Sequence, residues 1–138
     1  MTDANNSAGH ESLRGMIARL RQLRQLPEQA APKVAVALEG EIKKTIAKGT
    51  APDGTPWPAT KDGRQPLTSA GKALTVTAQG SVVVARLDGH IARHHLGAVR
   101  GKVKRQILPS AKLPAQVSKA ITTVVTGEFR RTMSGGAR

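Results

Sequence analysis

Three histidines lie close together in the second half of the chain, at His90, His94 and His95. On a helix, residues four apart share a face, and histidines that bind a metal ion use this spacing. The sequence offers little to complete such a site, because it has no cysteine and no H-E-x-x-H arrangement, and Asp88 is the only carboxylate nearby. We therefore expect packing or surface histidines, with no metal and no cofactor.

Other signatures of catalysis are missing from the sequence. It contains no nucleophile elbow, no phosphate-binding P-loop and no dinucleotide fingerprint. Its 9 Asp and Glu residues are scattered along the chain without an obvious acid–base pair. We therefore expect no catalytic residue and no enzymatic activity.

The chain is strongly basic, with 22 Lys and Arg residues, a formal net charge of +13 and no acidic residue between positions 88 and 128. Such an excess indicates an anionic partner, which could be nucleic acid, an anionic membrane or an acidic protein surface. The densest basic segment predicts a contact with DNA phosphates or with an acidic neighbour through Arg100, Lys102, Lys104 and Arg105. Aromatic side chains for base stacking are nearly absent, so any contact with nucleic acid would be nonspecific.

The first half of the chain predicts two helices after a disordered arm over residues 1–11. Apolar side chains recur every three or four residues from Ser12 to Leu26, which is typical of an amphipathic helix. A second helix starts near Pro27 or Pro32, since proline is tolerated in the first turn. Gly49 is the expected C-terminal cap of this helix.

The middle of the chain predicts a long Pro/Gly-rich loop over residues 49–72, followed by a small sheet. Two β-branched or alternating runs, Ala73–Ala78 and Ser81–Leu87, flank the turn-forming pair Gln79-Gly80 and predict a hairpin. A third short strand is expected at Gln106–Leu108, where Pro109 would end it.

The last part of the chain predicts two more helices. A short one is expected from His90 to Gly97, and a longer one from Leu113 to Met133, ahead of a flexible tail over residues 134–138. Residues 12–133 would then form a single structural domain of the α+β class. Its N-terminal and C-terminal helices would pack on a small, mainly antiparallel β-sheet.

The composition also bears on location and assembly. No apolar run approaches the roughly 20 residues needed to cross a bilayer, and the N-terminus has no apolar core of the signal-peptide type. We therefore expect a soluble protein made in the cytoplasm and no membrane contact.

The core must be aliphatic and thin, because the chain has one Trp, one Phe and no Tyr. A thin core favours burial of further surface against other subunits.

Trp57 stands alone in the loop segment Pro52–Pro58, which reads P-D-G-T-P-W-P. It could pin the loop onto the core, or it could anchor an interface, where tryptophan is enriched. Both interpretations remain open at the level of sequence. In the second, the interface residues would be Pro52, Asp53, Gly54, Trp57 and Pro58.

Three segments together resemble the phage virion morphogenesis family, whose members are also called tail completion proteins. The first is the Trp57 loop with the following Pro66–Leu74, the second is Ile91–Gly97 (I-A-R-H-H-L-G), and the third is Arg105–Pro109 (R-Q-I-L-P). They occur in the family's order within residues 12–131, although Ile91 replaces the usual aromatic residue and the step from Gly71 to Leu74 is one residue longer.

This resemblance implies a structural virion protein of the head–tail neck region, either a tail completion or terminator protein or a connector. Such a protein is assembled in the host cytoplasm and forms a ring, expected to be hexameric, around the DNA channel. Its partners would be copies of itself, the neighbouring tail-tube and head-connector proteins, and the duplex DNA in the channel. The alternative, motivated by the charge alone, is a nonspecific nucleic-acid-binding protein.

Overall fold

The computed structural model describes residues 2–96, 104–110 and 112–134, with side chains from residue 12 onward. Helices combine with a two-stranded antiparallel sheet, so the α+β class predicted from the sequence is confirmed. The elements in chain order are α1 (Thr2–Gln22), a 3-10 turn (Leu23–Gln25), α2 (Leu26–Lys48), α3 (Ala70–Ala73), β1 (Leu74–Gln79), β2 (Val82–Leu87), α4 (Gly89–Leu96) and α5 (Ala115–Met133).

The first helix is longer than its apolar pattern predicts. α1 begins at Thr2, so the expected start at Ser12 is wrong, and residues 2–11 of the expected disordered arm have helical backbone. Once a helix is nucleated, each added residue gains a hydrogen bond, so a polar segment can extend it. The 3-10 turn Leu23–Gln25 then joins α1 to α2.

The second helix follows the sequence prediction closely. Pro27 lies in the first turn of α2, and Gly49 ends the helix with a φ of 70°, in the left-handed region that glycine tolerates best. Pro32 lies inside the helix. Small and branched side chains on one face become buried where α2 packs against α5 and the sheet.

The hairpin forms where the sequence predicts it, but its turn lies one residue further along the chain than the predicted pair Gln79-Gly80. β1 and β2 pair antiparallel with Gln79 opposite Val82, which leaves Gly80 and Ser81 as a two-residue turn. Gly80 has a φ of 61°, as such turns require.

The expected third strand at Gln106–Leu108 is wrong, because this segment is irregular and the sheet in the described chain has two strands. The backbone groups that would pair with a neighbouring strand instead form hydrogen bonds with side chains. The N–H groups of Ile107 and Leu108 point at His95 Nδ1, and the carbonyl of Gln106 accepts a hydrogen bond from Trp57.

The helices of the second half also lie where the sequence places them. α4 ends at Leu96, and Gly97 lies outside the described residues. α5 follows Pro114, which occupies its N-cap position. Ser134 caps its C-terminus, and the other residues of the expected tail lie outside the described part of the chain.

The core lies between α2, the hairpin, α4 and the irregular segment that replaces the third strand. Its largest fully buried side chains are Ile42 and Ile107. The complete buried cluster is Ile42, Ile46, Ala51, Trp57, Ala70, Leu74, Ile91 and Ile107. Among the helices of the described chain, none has the length and apolar character needed to cross a membrane.

Candidate functional site at the Trp57 loop

The segment after α2 folds back on the helix end through its own backbone. The Gly49 N–H donates to Ile46 O over 3.0 Å, and the Trp57 N–H donates to Gly49 O over 2.9 Å. Between these contacts, Asp53 Oδ1 accepts from the Thr55 N–H over 2.9 Å, and Gly54 takes a φ of 91°. The Pro-Asp-Gly sequence thus forms the turn that its residue types favour, and its tip is exposed.

The indole of Trp57 points inward from this loop. It is 7% exposed and belongs to the buried core cluster. Its Nε1 donates to the carbonyl of Gln106 over 2.9 Å, so the polar edge of the ring also has a partner. Of the two interpretations of Trp57, this geometry favours the one in which it pins the loop onto the core.

Arg105 makes a second link between the same two segments. Its Nε and Nη2 donate to the carbonyl of Pro58 over 3.2 and 3.0 Å, and its backbone N–H donates to His94 O over 3.0 Å. The residue is only 8% exposed. Arg105 is therefore not available for the DNA or acidic-partner contact expected from the sequence, because its guanidinium is held inside the protein.

His95 completes the arrangement from α4. Its Nδ1 accepts the backbone N–H of Ile107 over 3.0 Å and is 3.4 Å from that of Leu108. Because both possible donors are backbone N–H groups, Nδ1 must be the unprotonated nitrogen of the ring. Burial, and then the positive charge of Lys104, lower the pKa of His95 below its usual value. The neutral imidazole therefore acts here as a backbone acceptor.

These contacts bring together residues from all three segments that resemble the phage family. Residues 57–58, 94–95 and 105–108 form what we call the motif junction. Its polar groups hold one backbone segment against another, and the apolar side chains of Ile91 and Ile107 pack beneath them. The arrangement fixes the shape of the Trp57 loop.

The remaining predicted interface residues lie at the surface end of the loop. Asp53, Gly54 and Pro58 are exposed, and Pro52 is half-buried. The hydrogen bond from the Thr55 N–H lowers the pKa of Asp53, which keeps this exposed carboxylate charged. The loop therefore presents an exposed tip with one negative charge on a basic protein.

The basic segment is only partly described. Lys104 is exposed, whereas Arg100 and Lys102 lie outside the described residues. Lys104 and Arg105, which the sequence places in one basic segment, thus differ in exposure, since Lys104 lies at the surface and Arg105 is buried.

The histidine cluster is divided in its environment. The side chain of His95 takes part in the motif junction, whereas His94 contributes only its backbone carbonyl there and its ring contacts that of His90 edge to face, with ring centroids 6.3 Å apart. In the part of the chain that the structure describes, no three His, Cys, Asp or Glu side chains are grouped closely enough to hold a metal ion.

Comparisons with known proteins add no assignment to this geometry. No protein-family model matches the chain, and neither a curated protein nor a solved structure does so. The family resemblance therefore rests on its residues alone.

Two structural contacts were not predicted from the sequence. Glu128 of α5 is 4% exposed and forms ion pairs with Lys33 of α2 and, over 2.6 Å, with Arg131. The hydrogen bond from Lys33 and the charge of Arg131 hold the pKa of Glu128 below its ordinary value, although burial acts in the opposite direction. Gln65 caps α2 by donating to the carbonyls of Ile46 and Ala47. Neither long-range pair has a local sequence signal.

Proposed function

We propose that this chain is a structural subunit of a tailed-phage particle, which assembles into a ring around the DNA channel at the neck between head and tail. It would serve there as a tail completion or terminator protein, or as a connector. The observation that carries the proposal is the motif junction. Residues from the three segments of the family resemblance contact one another there, although 49 positions separate Trp57 from Gln106.

The chemistry of the junction suits a structural role. Trp57, His95 and Arg105 each use their polar atoms to bind backbone of another segment. Such contacts stabilise a loop shape, and a preorganised loop loses little conformational entropy when it binds a neighbour. The exposed tip around Asp53 lies on the loop that these contacts hold in place, and it can contact the next subunit.

Contact between this loop and a different surface of the next copy would be heterologous. Heterologous contacts repeat around an axis and form a ring when the rotation closes. The exposed apolar side chains of Leu96, Leu113 and Val82, which are 67%, 43% and 58% exposed, also favour further burial between subunits.

Light scattering on the purified chain over a range of concentrations tests this proposal. We expect a discrete oligomer, and we expect Pro58→Arg at the loop to reduce its population while the melting temperature stays within a few degrees. Thr75→Arg, on an exposed position of β1, is the matched control and should leave the oligomer intact. An oligomer equally tolerant of both substitutions would exclude the loop as the interface.

A second candidate function is nonspecific binding to nucleic acid, and the charge of α5 favours it. Lys119 and Arg130 are exposed on this helix, whereas its one carboxylate, Glu128, is buried in ion pairs. This function predicts micromolar or tighter binding of duplex DNA that falls steeply as salt is raised. A monomer that binds in this way, and loses binding in Lys119→Glu/Arg130→Glu, would favour this candidate over the ring.

A further inference from the structure

The pairing pattern of the β1–β2 hairpin determines which of its backbone groups point outward. Gln79 and Val82 flank the two-residue turn and lie opposite each other, so the hydrogen bond that closes the turn joins them. In an antiparallel ladder, bonded pairs alternate with non-bonded pairs. At the other end of the hairpin the Asp88 N–H donates to Ala73 O over 3.0 Å, which fits the same alternation. Every second residue of β2 therefore turns its N–H and C=O away from β1.

The outward groups of β2 belong to Val83, Ala85 and Leu87. Within the described chain no hydrogen bond reaches these groups, and the sheet ends at β2. Natural edge strands are protected from further pairing by Lys, Pro, a bulge or a covering segment. β2 reads V-V-V-A-R-L and pairs with β1 in an unbroken register, so it has no Lys, no Pro and no bulge. Its outer edge is therefore an open template for another strand.

An apolar groove lies beside this edge. Its described lining comes from α2, from the hairpin turn and β2, and from α5, with no residue of β1; it includes Ala30, Ala31, Val34, Ser81, Val83 and Val125. The groove is thus on the outer side of β2, towards which Val83 turns its backbone. The buried alanines of α2 form its floor. An extended chain in this groove could pair with β2 and place alternate side chains over the alanines.

The groove and the open edge together favour an extended peptide over other occupants. Strand addition combines main-chain hydrogen bonds to a sheet edge with side-chain contacts at every second position. A helix bonds its N–H and C=O groups internally, so it would leave the edge of β2 unpaired. Nucleic acid would bring phosphates to a groove whose described lining carries no charged side chain.

A second copy of the hairpin fits this place poorly. Each hairpin is covered by its own α2, which contacts both strands. If an edge of another hairpin paired with β2, the α2 of that copy would lie beside the α2 of this chain. That space is bounded by α5, whose Val125 forms part of the groove. A single extended chain brings no such helix with it.

We propose that the outer edge of β2 binds an extended segment of a different protein, which adds to the hairpin as a third strand. The segment is defined by its chemistry: small or β-branched apolar residues at alternate positions, polar residues between them, and no proline where it pairs. This surface is separate from the Trp57 loop, and the proposal does not depend on the ring.

A labelled peptide can test the proposal on the full chain. The probe is a fluorescein-labelled peptide in which Val alternates with Thr, with Lys and Glu at its ends so that the peptide itself has no net charge. One derivative is N-methylated on the amides of the valines, and another on those of the threonines. Because a strand turns the N–H groups of alternate residues to opposite sides, only one derivative should lose binding. Fluorescence anisotropy gives the dissociation constants at low and high salt.

Two alanines provide a matched pair of variants. Ala85→Pro removes an outward N–H from β2, and Ala78→Pro does the same on the outer edge of β1, which does not line the groove. Both alanines are half-buried, and proline at either position removes an N–H that is not bonded between the strands. Val125→Arg obstructs the groove from α5 without altering the hairpin, and Val36→Arg, at a side chain 71% exposed, is its control. Circular dichroism verifies that each variant is folded.

We expect Ala85→Pro and Val125→Arg each to weaken binding of the probe by about tenfold or more, because the first loses an edge hydrogen bond and the second fills the space of the strand. Ala78→Pro and Val36→Arg should bind like the wild-type chain. Salt should change the dissociation constant by less than about twofold, because the described lining of the groove is uncharged. Absence of binding, equal binding of both methylated peptides, or equal losses in Ala78→Pro and Ala85→Pro would each overturn the proposal.

Native mass keeps this test distinct from that of the ring. Ala85→Pro should retain the native mass of the wild-type chain. If it instead dissociated an oligomer, β2 would pair with a second copy and the proposed partner would be wrong. Pro58→Arg, which is directed at the ring contact, should bind the probe normally. A monomeric wild-type chain that bound the probe would overturn the ring and leave the strand-addition site intact.

Discussion

Removal of the Trp57 side chain should be among the most costly single changes in this protein. A tryptophan buries about 150–250 Å², and at about 25 cal/mol per Å² this corresponds to roughly 5 kcal/mol as an upper bound. Truncations of buried aromatic residues cost about 3–5 kcal/mol. With Trp57 at 7% exposure and bonded to Gln106, we expect Trp57→Ala to fall in that range. This is a large part of the about 5–15 kcal/mol that stabilises a typical domain.

Urea unfolding followed by circular dichroism measures this change, because the substitution also removes the chain's one tryptophan fluorophore. Trp57→Phe separates the two contributions. It keeps most of the apolar area but leaves the Gln106 carbonyl without its donor, which should cost about 1–3 kcal/mol. Val36→Ala, at a side chain 71% exposed, should change the free energy of unfolding by less than about 0.5 kcal/mol.

A small loss of stability in Trp57→Ala would favour the interpretation of Trp57 as an interface anchor. If Trp57→Ala lowered the free energy of unfolding by less than about 1 kcal/mol but dissociated an oligomer, the indole would be an interface anchor. The interpretation that Trp57 holds its loop onto the core at the motif junction would then be wrong.

Three further predictions concern titration and backbone geometry. The pKa of His95 is lowered in the folded state, so the unfolded chain binds a proton at this residue more readily. The contribution of His95 to the free energy of unfolding should be complete above the ordinary pKa of about 6.5 and should decline as the pH falls below that value. In urea titrations from pH 8 to 5, His95→Asn should flatten this pH dependence. The pKa of Glu128 is also lowered, so its contribution should be present above its ordinary value and fall at lower pH. Glu128→Gln should cost about 1–3 kcal/mol at pH 7 and much less at pH 3, and equal losses at both would exclude the ion pair with Lys33. Gly49→Ala should lower the free energy of unfolding by about 1–2 kcal/mol, because φ is 70°; an unchanged melting curve would show that the left-handed cap is not required.

The elements predicted well are those determined by local pattern. In α2 the proline at the start, the repeat of apolar residues and Gly49 at the end act within one helix. In the hairpin, Gly80 fixes the turn and the two strands pair directly. Each of these signals lies within a few residues of the structure it specifies, so one sequence is enough to recognise it.

The errors arise where distant residues compete for the backbone. Gln106–Leu108 has the composition of a strand. Trp57 and His95, however, form hydrogen bonds with the carbonyl and N–H groups that a neighbouring strand would need. From the sequence, Arg105 is expected on a basic surface, but its guanidinium is buried and donates a hydrogen bond to the Pro58 carbonyl. These outcomes depend on contacts between segments that the sequence does not relate.

The candidate site was therefore recognised in its parts and not in its arrangement. The sequence identifies the Trp57 loop, the α4 histidines and the segment ending at Pro109 as separate motifs. It does not indicate the hydrogen bonds between them, or the burial of Glu128 against Lys33, because these contacts arise from the tertiary packing.

The most direct test of the central proposal is the native mass of the chain, measured by multi-angle light scattering from micromolar to millimolar concentration and accompanied by electron microscopy of the same fractions. The monomer has a mass of 14.5 kDa. We predict a discrete, ring-shaped oligomer, hexameric if the family resemblance holds, with an opening wide enough for duplex DNA. A chain that stays monomeric at every concentration and salt would contradict the proposal.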